Sequence, residues 1–122
     1  MNVGIIGDQI TKDVLNEKLF GIFEKHRIIP DTICVIGIGV SNMAETIAYK
    51  QNWKIKKFLP EFKKYHNTSI AIRQRNISFC ADIDFLIIAD NQDQENKYMS
   101  IAIPAQLREI PVVSLFDVQH VL

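Results

Sequence analysis

CVIGIGVSNMAETIAYKQ, the stretch from Cys34 to Gln51, joins an apolar run to a helical pattern through a turn that contains Gly37 and Gly39. A strand, a glycine turn and a helix in this order are typical of parallel α/β folds. The turn brings backbone N–H groups and the positive end of a helix together, and its small residues let an anion or a nucleotide come close. Gly-x-Gly alone is a weak signal, so the stretch predicts a kind of ligand rather than a reaction.

The rest of the chain alternates short apolar runs with helical periodicity. The predicted strands are Val3–Ile6, Thr32–Ile36, Lys54–Phe58, Phe85–Ala89 and Pro111–Leu115. The predicted helices lie between Thr11 and Pro30, from Ser41 or Asn42 to about Asn52, over Ile70–Cys80 and over Glu95–Arg108, with a long polar loop at residues 61–69. Because alternating strands and helices build parallel sheets with right-handed crossovers, we predict an α/β chain. It is expected to form one Rossmann-like three-layer domain, residues 1–122, with a five-stranded parallel sheet flanked by helices.

Composition excludes several classes of protein. The 122 residues are 48% hydrophobic and 23% charged, which is typical of a globular domain and not of a disordered chain. The 14 basic and 14 acidic residues cancel, so nucleic acid is not an expected partner and any phosphate site must be local. No apolar stretch is long enough for a membrane span, and neither cysteine, Cys34 or Cys80, has metal-site spacing. We therefore expect a cytoplasmic protein with buried free thiols, no membrane association, no metal and no cofactor.

Parallel sheets bind their ligands beyond the carboxyl ends of the strands. Five residues follow predicted strands at that edge: Gly7 after the first, Gly37 and Gly39 after the second, Pro60 after the third and Asp90 after the fourth. The sequence thus places its candidate ligand contacts along one edge of the sheet.

Four segments together resemble the SLOG superfamily of Rossmann-like proteins, in particular its small branch related to YspA and YpsA. They are Gly7-Asp8, GIGVSNMAETIA from Gly37, FLPEFKKY from Phe58, and IRQRNISFCADIDFLIIA over residues 72–89. The most specific part is the Arg75-Asn76 pair, which opens a helix leading to Asp84 and an apolar strand. The resemblance covers nearly the whole chain and implies a nucleotide or nucleotide-derived ligand. It also implies self-association, to which exposed aromatic residues of the last segment, around Phe116, would contribute.

The chain also departs from that family pattern. Asp8 and Gln9 stand where the family has Ser and Arg, Ser41 stands where it has Asp, and DNQDQEN follows the fourth strand in place of a glycine-rich turn. The phosphoribohydrolase motif of the LOG group is absent from that position. These departures favour ligand binding without catalysis over an N-glycosidic hydrolase. A degenerate domain retained for protein assembly is the third alternative.

Around the second turn, each candidate side chain has a structural alternative. Ser41 and Asn42 are predicted to cap the helix, with ligand contact as the alternative. Glu45 lies one turn further, where it either faces a ligand, as a base or an acceptor for a ribose hydroxyl, or stabilises the helix start in solvent.

On the later helix, Arg73 and Arg75 are two residues apart and cannot share a face. Because Arg75 matches the family pattern, the resemblance implies that Arg75 is the one that faces the site. Asn76 is expected either to contact ligand or to bridge backbone groups. Asp84 is expected to cap or to pair with Arg75. In the preceding loop, Tyr65 and His66 could contact a base, and the lysines at positions 56, 57, 63 and 64 either form a solvated face or guide an anion.

Overall fold

The computed structural model describes residues 1–90 and 98–116. Five strands form one parallel sheet in the order β3-β2-β1-β4-β5. The strands are β1 (Asn2–Ile6), β2 (Thr32–Val35), β3 (Lys54–Lys57), β4 (Phe85–Ile88) and β5 (Val112–Ser114). The predicted α/β class and the five-stranded parallel sheet are confirmed.

Helices cover both faces of this sheet. They are α1 (Lys12–Lys25), α2 (Ser41–Lys50), α3 (Phe62–Tyr65), α4 (Thr68–Asp82) and α5 (Met99–Leu107). Right-handed crossovers place α1 and α2 on one face and α4 and α5 on the other, and each pair is in contact. No helix in the described part of the chain has both the length and the apolar character needed to cross a membrane.

Alternation along the central strands divides the core between the two faces, because successive side chains of a strand point in opposite directions. Val3 and Ile5 of β1 belong to the cluster beneath α1 and α2. Ile6 belongs to the cluster beneath α4 and α5. Gly4 leaves room for the Phe79 ring, since a Cβ at this position would lie 2.6 Å from its Cζ atom. The middle layer is therefore covered on both sides, whereas β3 is an exposed edge strand, as predicted.

Three helices end in Schellman motifs whose left-handed residue is not glycine. After α2, the Trp53 N–H donates to the Ala48 carbonyl at 2.9 Å and Asn52 has φ 60°. The same hydrogen-bond pattern places Arg27 after α1 and Glu109 after α5 at positive φ. Glycine is the residue that normally occupies this position, so the sequence carried no glycine signal for these ends.

Two sequence predictions about the second half are wrong. The loop expected at residues 61–69 contains α3, and α4 begins at Thr68 because the Asn67 side chain accepts a hydrogen bond from the Ile70 N–H at 3.1 Å. Phe116 is half-buried against the core beneath α1 rather than exposed, so it does not offer a free aromatic surface. Part of the predicted last helix and of the polar corner after Asp90 falls within residues 91–97, outside the described residues.

Candidate functional site

The two glycine turns at the carboxyl edge pack directly against each other. Gly7 and Gly39 have φ of 149° and 59°, and the Val40 N–H donates to the Gly7 carbonyl at 3.0 Å. A Cβ on Gly39 would lie 1.9 Å from the Gly7 oxygen, and a Cβ on Gly7 would lie 1.9 Å from the Ala89 oxygen. Both glycines are thus required by close backbone contact between β1, β2 and β4, whatever the ligand.

The start of α2 differs from its prediction. Val40 occupies the N-cap position and makes no side-chain capping bond, so neither Ser41 nor Asn42 caps the helix. The Ser41 hydroxyl instead accepts from the Gly37 N–H at 2.9 Å. Asn42 is exposed, and its carbonyl accepts from the hydroxyl of Thr46. Ser41 is buried because its hydroxyl closes the glycine turn through this hydrogen bond. Rules for helix capping do not consider a contact of this kind.

Arg75 is buried at the carboxyl edge of the sheet. Its guanidinium donates to the Asn76 side-chain oxygen at 2.8 Å and to the Ile36 carbonyl at 3.1 Å. Within residues 1–90 and 98–116 no carboxylate lies within ion-pair distance of it. Burial lowers the pKa of Arg75, although an arginine remains protonated in proteins. Arg73 is exposed, so the prediction that only one of the two arginines faces inward is confirmed.

Beside Arg75, a cleft of about 170 Å³ opens between the end of β3 and α4. Its wall includes the side chains of both segments: Lys57, Phe58, Leu59, Glu61, Tyr65, Ala71, Gln74, Arg75 and Ser78. Asn76 fixes the guanidinium from one side, and the Ile36 carbonyl fixes it from the end of β2. The cleft therefore combines a buried cation with an aromatic ring and polar side chains of α4.

Glu45 of α2 contacts Lys57, one of the residues that line the cleft. Its carboxylate forms an ion pair with Lys57, with 3.1 Å between Oε1 and Nζ. On the other side of the cleft, Glu61 pairs with Lys64 at 3.7 Å. Both pairs are accessible to solvent, so water and salt weaken them. Glu45 thus acts on the charge of Lys57 rather than standing alone as a base.

A second group of polar side chains lies after β1 and β4, where the chain connections leave the sheet toward opposite faces. Asp90 is buried and accepts a hydrogen bond from the Tyr98 hydroxyl. Burial, this hydrogen bond and the charges of Asp90 and Asp8 raise the pKa of Tyr98. Among the described residues, this end of the edge therefore carries the carboxylates of Asp8 and Asp90 beside the Tyr98 hydroxyl.

The structure thus places the predicted residues in two groups on one edge. One group surrounds the end of β2 and the cleft, and it consists of Gly37, Ser41, Glu45, Arg75 and Asn76. The other group lies toward β4 and consists of Gly7, Asp8 and Asp90. Gly39 lies between the two groups. Asp84 is separate from both groups and lies at the opposite edge, where its carboxylate accepts from the Asn2 N–H at 2.7 Å. The expected Asp84–Arg75 pair is therefore wrong.

Several residues of the candidate site are not predicted by the sequence. Lys57 is predicted only as a member of a lysine cluster, whereas in the structure it ends β3 at the carboxyl edge and lines the cleft. Gln74 lies one turn before Ser78 on α4, and both line the cleft, a spacing that indicates a shared helix face. Tyr98 had no local signal, because its partner Asp90 lies in a different element. Tyr65, one of the two loop residues predicted as possible contacts to a base, lines the cleft. His66, the other, forms the left-handed end of α3.

The described residues include no group of three or more His, Cys, Asp or Glu side chains arranged to hold a metal ion. Cys34 and Cys80 are buried free thiols, as predicted. Comparisons with protein-family models, with curated proteins and with solved structures find no match to this chain. The candidate site therefore rests on its own geometry.

Proposed function

We propose that this chain binds a nucleotide or nucleotide-derived ligand at the carboxyl edge of its sheet and senses, carries or sequesters that ligand without transforming it. The observation that supports this most is the Arg75 guanidinium, which is buried in the cleft wall and has no carboxylate partner in the described residues. A desolvated cation held by neutral acceptors interacts more strongly with an anion than an exposed one. The SLOG resemblance proposes the same ligand class on independent grounds.

The contacts made by the two candidate catalytic carboxylates support ligand binding without catalysis. Glu45 is paired with Lys57, and Asp90 accepts from Tyr98. Asp90 follows β4, whereas the Arg75 guanidinium lies at the end of β2, two strand spacings or roughly 10 Å away. A hydrolase needs its acid, base and phosphate-holding cation around one bond. The carboxylate after β4 and the cation at the end of β2 are too far apart to meet this requirement.

Titration calorimetry with nucleoside mono-, di- and cyclic phosphates tests the binding proposal. At least one member of the panel is expected to bind, and Arg75→Ala should weaken that binding at least about tenfold, because a charge-assisted hydrogen bond contributes on the order of 1.5–3 kcal/mol. Arg73→Ala is the matched control, since it removes an exposed arginine from the same helix. Arg75→Lys keeps the charge and should retain part of the affinity.

Far-UV circular dichroism of each variant separates loss of the fold from loss of the site. If no nucleotide binds the wild-type chain, the proposal is wrong and the assembly alternative gains support. Chromatography after long incubation should return the nucleotide intact. Release of a free base would instead establish the hydrolase alternative.

The resemblance further supports proposing a cytoplasmic protein that associates with itself. Multi-angle light scattering measures the mass of the particle directly. A monomer over the whole accessible concentration range would refute self-association and leave the ligand proposal untouched.

A further inference from the structure

The outer side of α4 and α5 carries exposed apolar side chains. On α4, Ile70 and Ile77 are seven residues apart and both are exposed. On α5, Met99, Ile103 and Leu107 recur at every fourth residue; all three are exposed, and Leu107 has 81% of its surface in solvent. Residues at these spacings share one face of a helix, and α4 and α5 are in contact. The five side chains therefore form one surface, the α4–α5 patch.

The helix α5 lacks the polar outer face that a surface helix normally has. Its sequence, MSIAIPAQL, contains no charged residue, whereas the exposed positions of α1 include Lys12, Asp13, Glu17, Glu24 and Lys25. A helix that is apolar on all sides is normally enclosed by other protein. Pro104 also removes one backbone hydrogen bond inside this nine-residue helix. The helix therefore depends on side-chain packing, and its composition suits contacts on both sides.

The parts of the chain outside the described residues do not suit this patch. Residues 91–97 contain no apolar side chain with which to cover it. Residues 117–122 start from Phe116, which packs against the core beneath α1 on the opposite face of the sheet. Neither the composition of the first segment nor the starting point of the second matches the outer side of α5, so a partner from outside this segment of chain is the better occupant.

Charge and size both favour a second copy of this chain as that partner. No side chain of the patch is charged, and the 14 basic and 14 acidic residues of the chain cancel, so two copies do not repel each other at a distance. Arg73 borders the patch on α4, and arginine is enriched at protein interfaces. A standard interface buries about 800 Å² of each partner, roughly a tenth of the 7660 Å² surface of this chain. Two helices side by side, of 15 and 9 residues, offer a surface of that order.

We propose that two copies of this chain associate through the α4–α5 patch, around a two-fold axis close to Ile103. Such an axis lets an uncharged surface pack on its own copy without a complementary charge pattern. Ile103 is chosen because it lies midway along the exposed stripe of α5. This inference rests on the proposed self-association and adds the surface that carries it, in place of the half-buried Phe116.

Sedimentation velocity over a wide range of concentrations tests the inference. The wild type should form a dimer of about twice the 14.0 kDa mass of the chain. Ile103→Glu should raise the dimer dissociation constant at least about thirtyfold, because it removes a central apolar contact and buries two carboxylates near the axis. Ile77→Glu should weaken the dimer in the same direction. The matched control is Ile29→Glu, the same change at an isoleucine that is 83% exposed between α1 and β2, and it should leave the dimer intact.

Disulfide trapping supplies a test that does not require a charged variant to fold. A cysteine close to a two-fold axis meets its own copy, so mild oxidation of Ile103→Cys should link two chains. Cys34 and Cys80 are buried, so the wild type should not be linked. Ile29→Cys is the control, since it places an exposed thiol away from the patch.

The possible outcomes separate this inference from the proposed function. A dimer that survives both glutamate substitutions, with Ile103→Cys linked no faster than Ile29→Cys, would refute the patch as the interface and leave self-association to another surface. A wild type that stays monomeric at every accessible concentration would refute this inference and the proposed self-association together. Nucleotide binding is measured separately by calorimetry and stands or falls on that result.

Discussion

Gly39→Ala is expected to be among the most destabilising single-methyl additions in this chain. Gly39 has φ 59°, a conformation that L side chains rarely adopt, and a Cβ there would lie 1.9 Å from the Gly7 carbonyl oxygen. That oxygen accepts the hydrogen bond from the Val40 N–H. The new methyl group must therefore push apart the two turns that this bond joins.

The magnitude follows from three contributions. The left-handed backbone conformation costs an alanine about 1–2 kcal/mol relative to glycine. Displacing the Gly7 carbonyl lengthens or breaks a buried hydrogen bond, which costs about 1–3 kcal/mol. Shifting the closely packed backbone adds about 1 kcal/mol or more. The sum is roughly 3–6 kcal/mol, a large part of the 5–15 kcal/mol that is typical of a folded domain.

Urea unfolding followed by circular dichroism measures this difference in the free energy of unfolding. The matched control is Gly21→Ala, because Gly21 lies in α1 and has no atom within 4 Å of the position of a new Cβ. The control should gain about 0.5–1 kcal/mol in stability, since alanine favours a helix interior. A Gly39→Ala chain within about 1 kcal/mol of the wild type would refute the reasoning about contact between the turns.

Two further predictions concern stability. Glu109→Gly should stabilise the chain by about 1 kcal/mol, because it relieves a left-handed glutamate and removes a negative charge from the carboxyl end of α5; a lower thermal midpoint for this variant would contradict the prediction. Burial raises the pKa of the Cys34 thiol to about 11, from an ordinary value of 9.0. Folding therefore favours the neutral thiol, so this contribution of up to about 3 kcal/mol is present below about pH 9 and is lost as the pH rises through about 11. Unfolding free energies at about pH 8 and about pH 10.5 should fall more steeply in the wild type than in Cys34→Ala; equal slopes would show that the thiol does not contribute.

The features of the site that could be predicted follow from rules about residues that are close together in the sequence. Arg73 and Arg75 could be assigned to opposite environments because residues two apart on a helix point in different directions. The position of Gly7 and Gly37 directly after apolar runs likewise placed both at the carboxyl edge. The failures involve partners that are distant along the chain. Ser41 has the composition of a cap, but its hydroxyl closes the turn at Gly37 instead.

Local sequence patterns were sufficient for the α/β class, the parallel sheet and the exposed edge strand, because periods of 2 and 3.6 residues report which side chains a strand or helix buries. Three-dimensional packing was needed to bring Glu45 of α2 to Lys57 of β3, and to set Asp84 at the edge opposite Arg75. The glycine turn shows the division most clearly. Its residues predict a place for a ligand. The structure shows that Gly39 is also needed for contact with the Gly7 carbonyl, and that the cleft lies beside the buried Arg75. The physical reason is that the availability of a turn's N–H and C=O groups depends on which distant backbone segment lies beside the turn. A local sequence pattern does not contain that information.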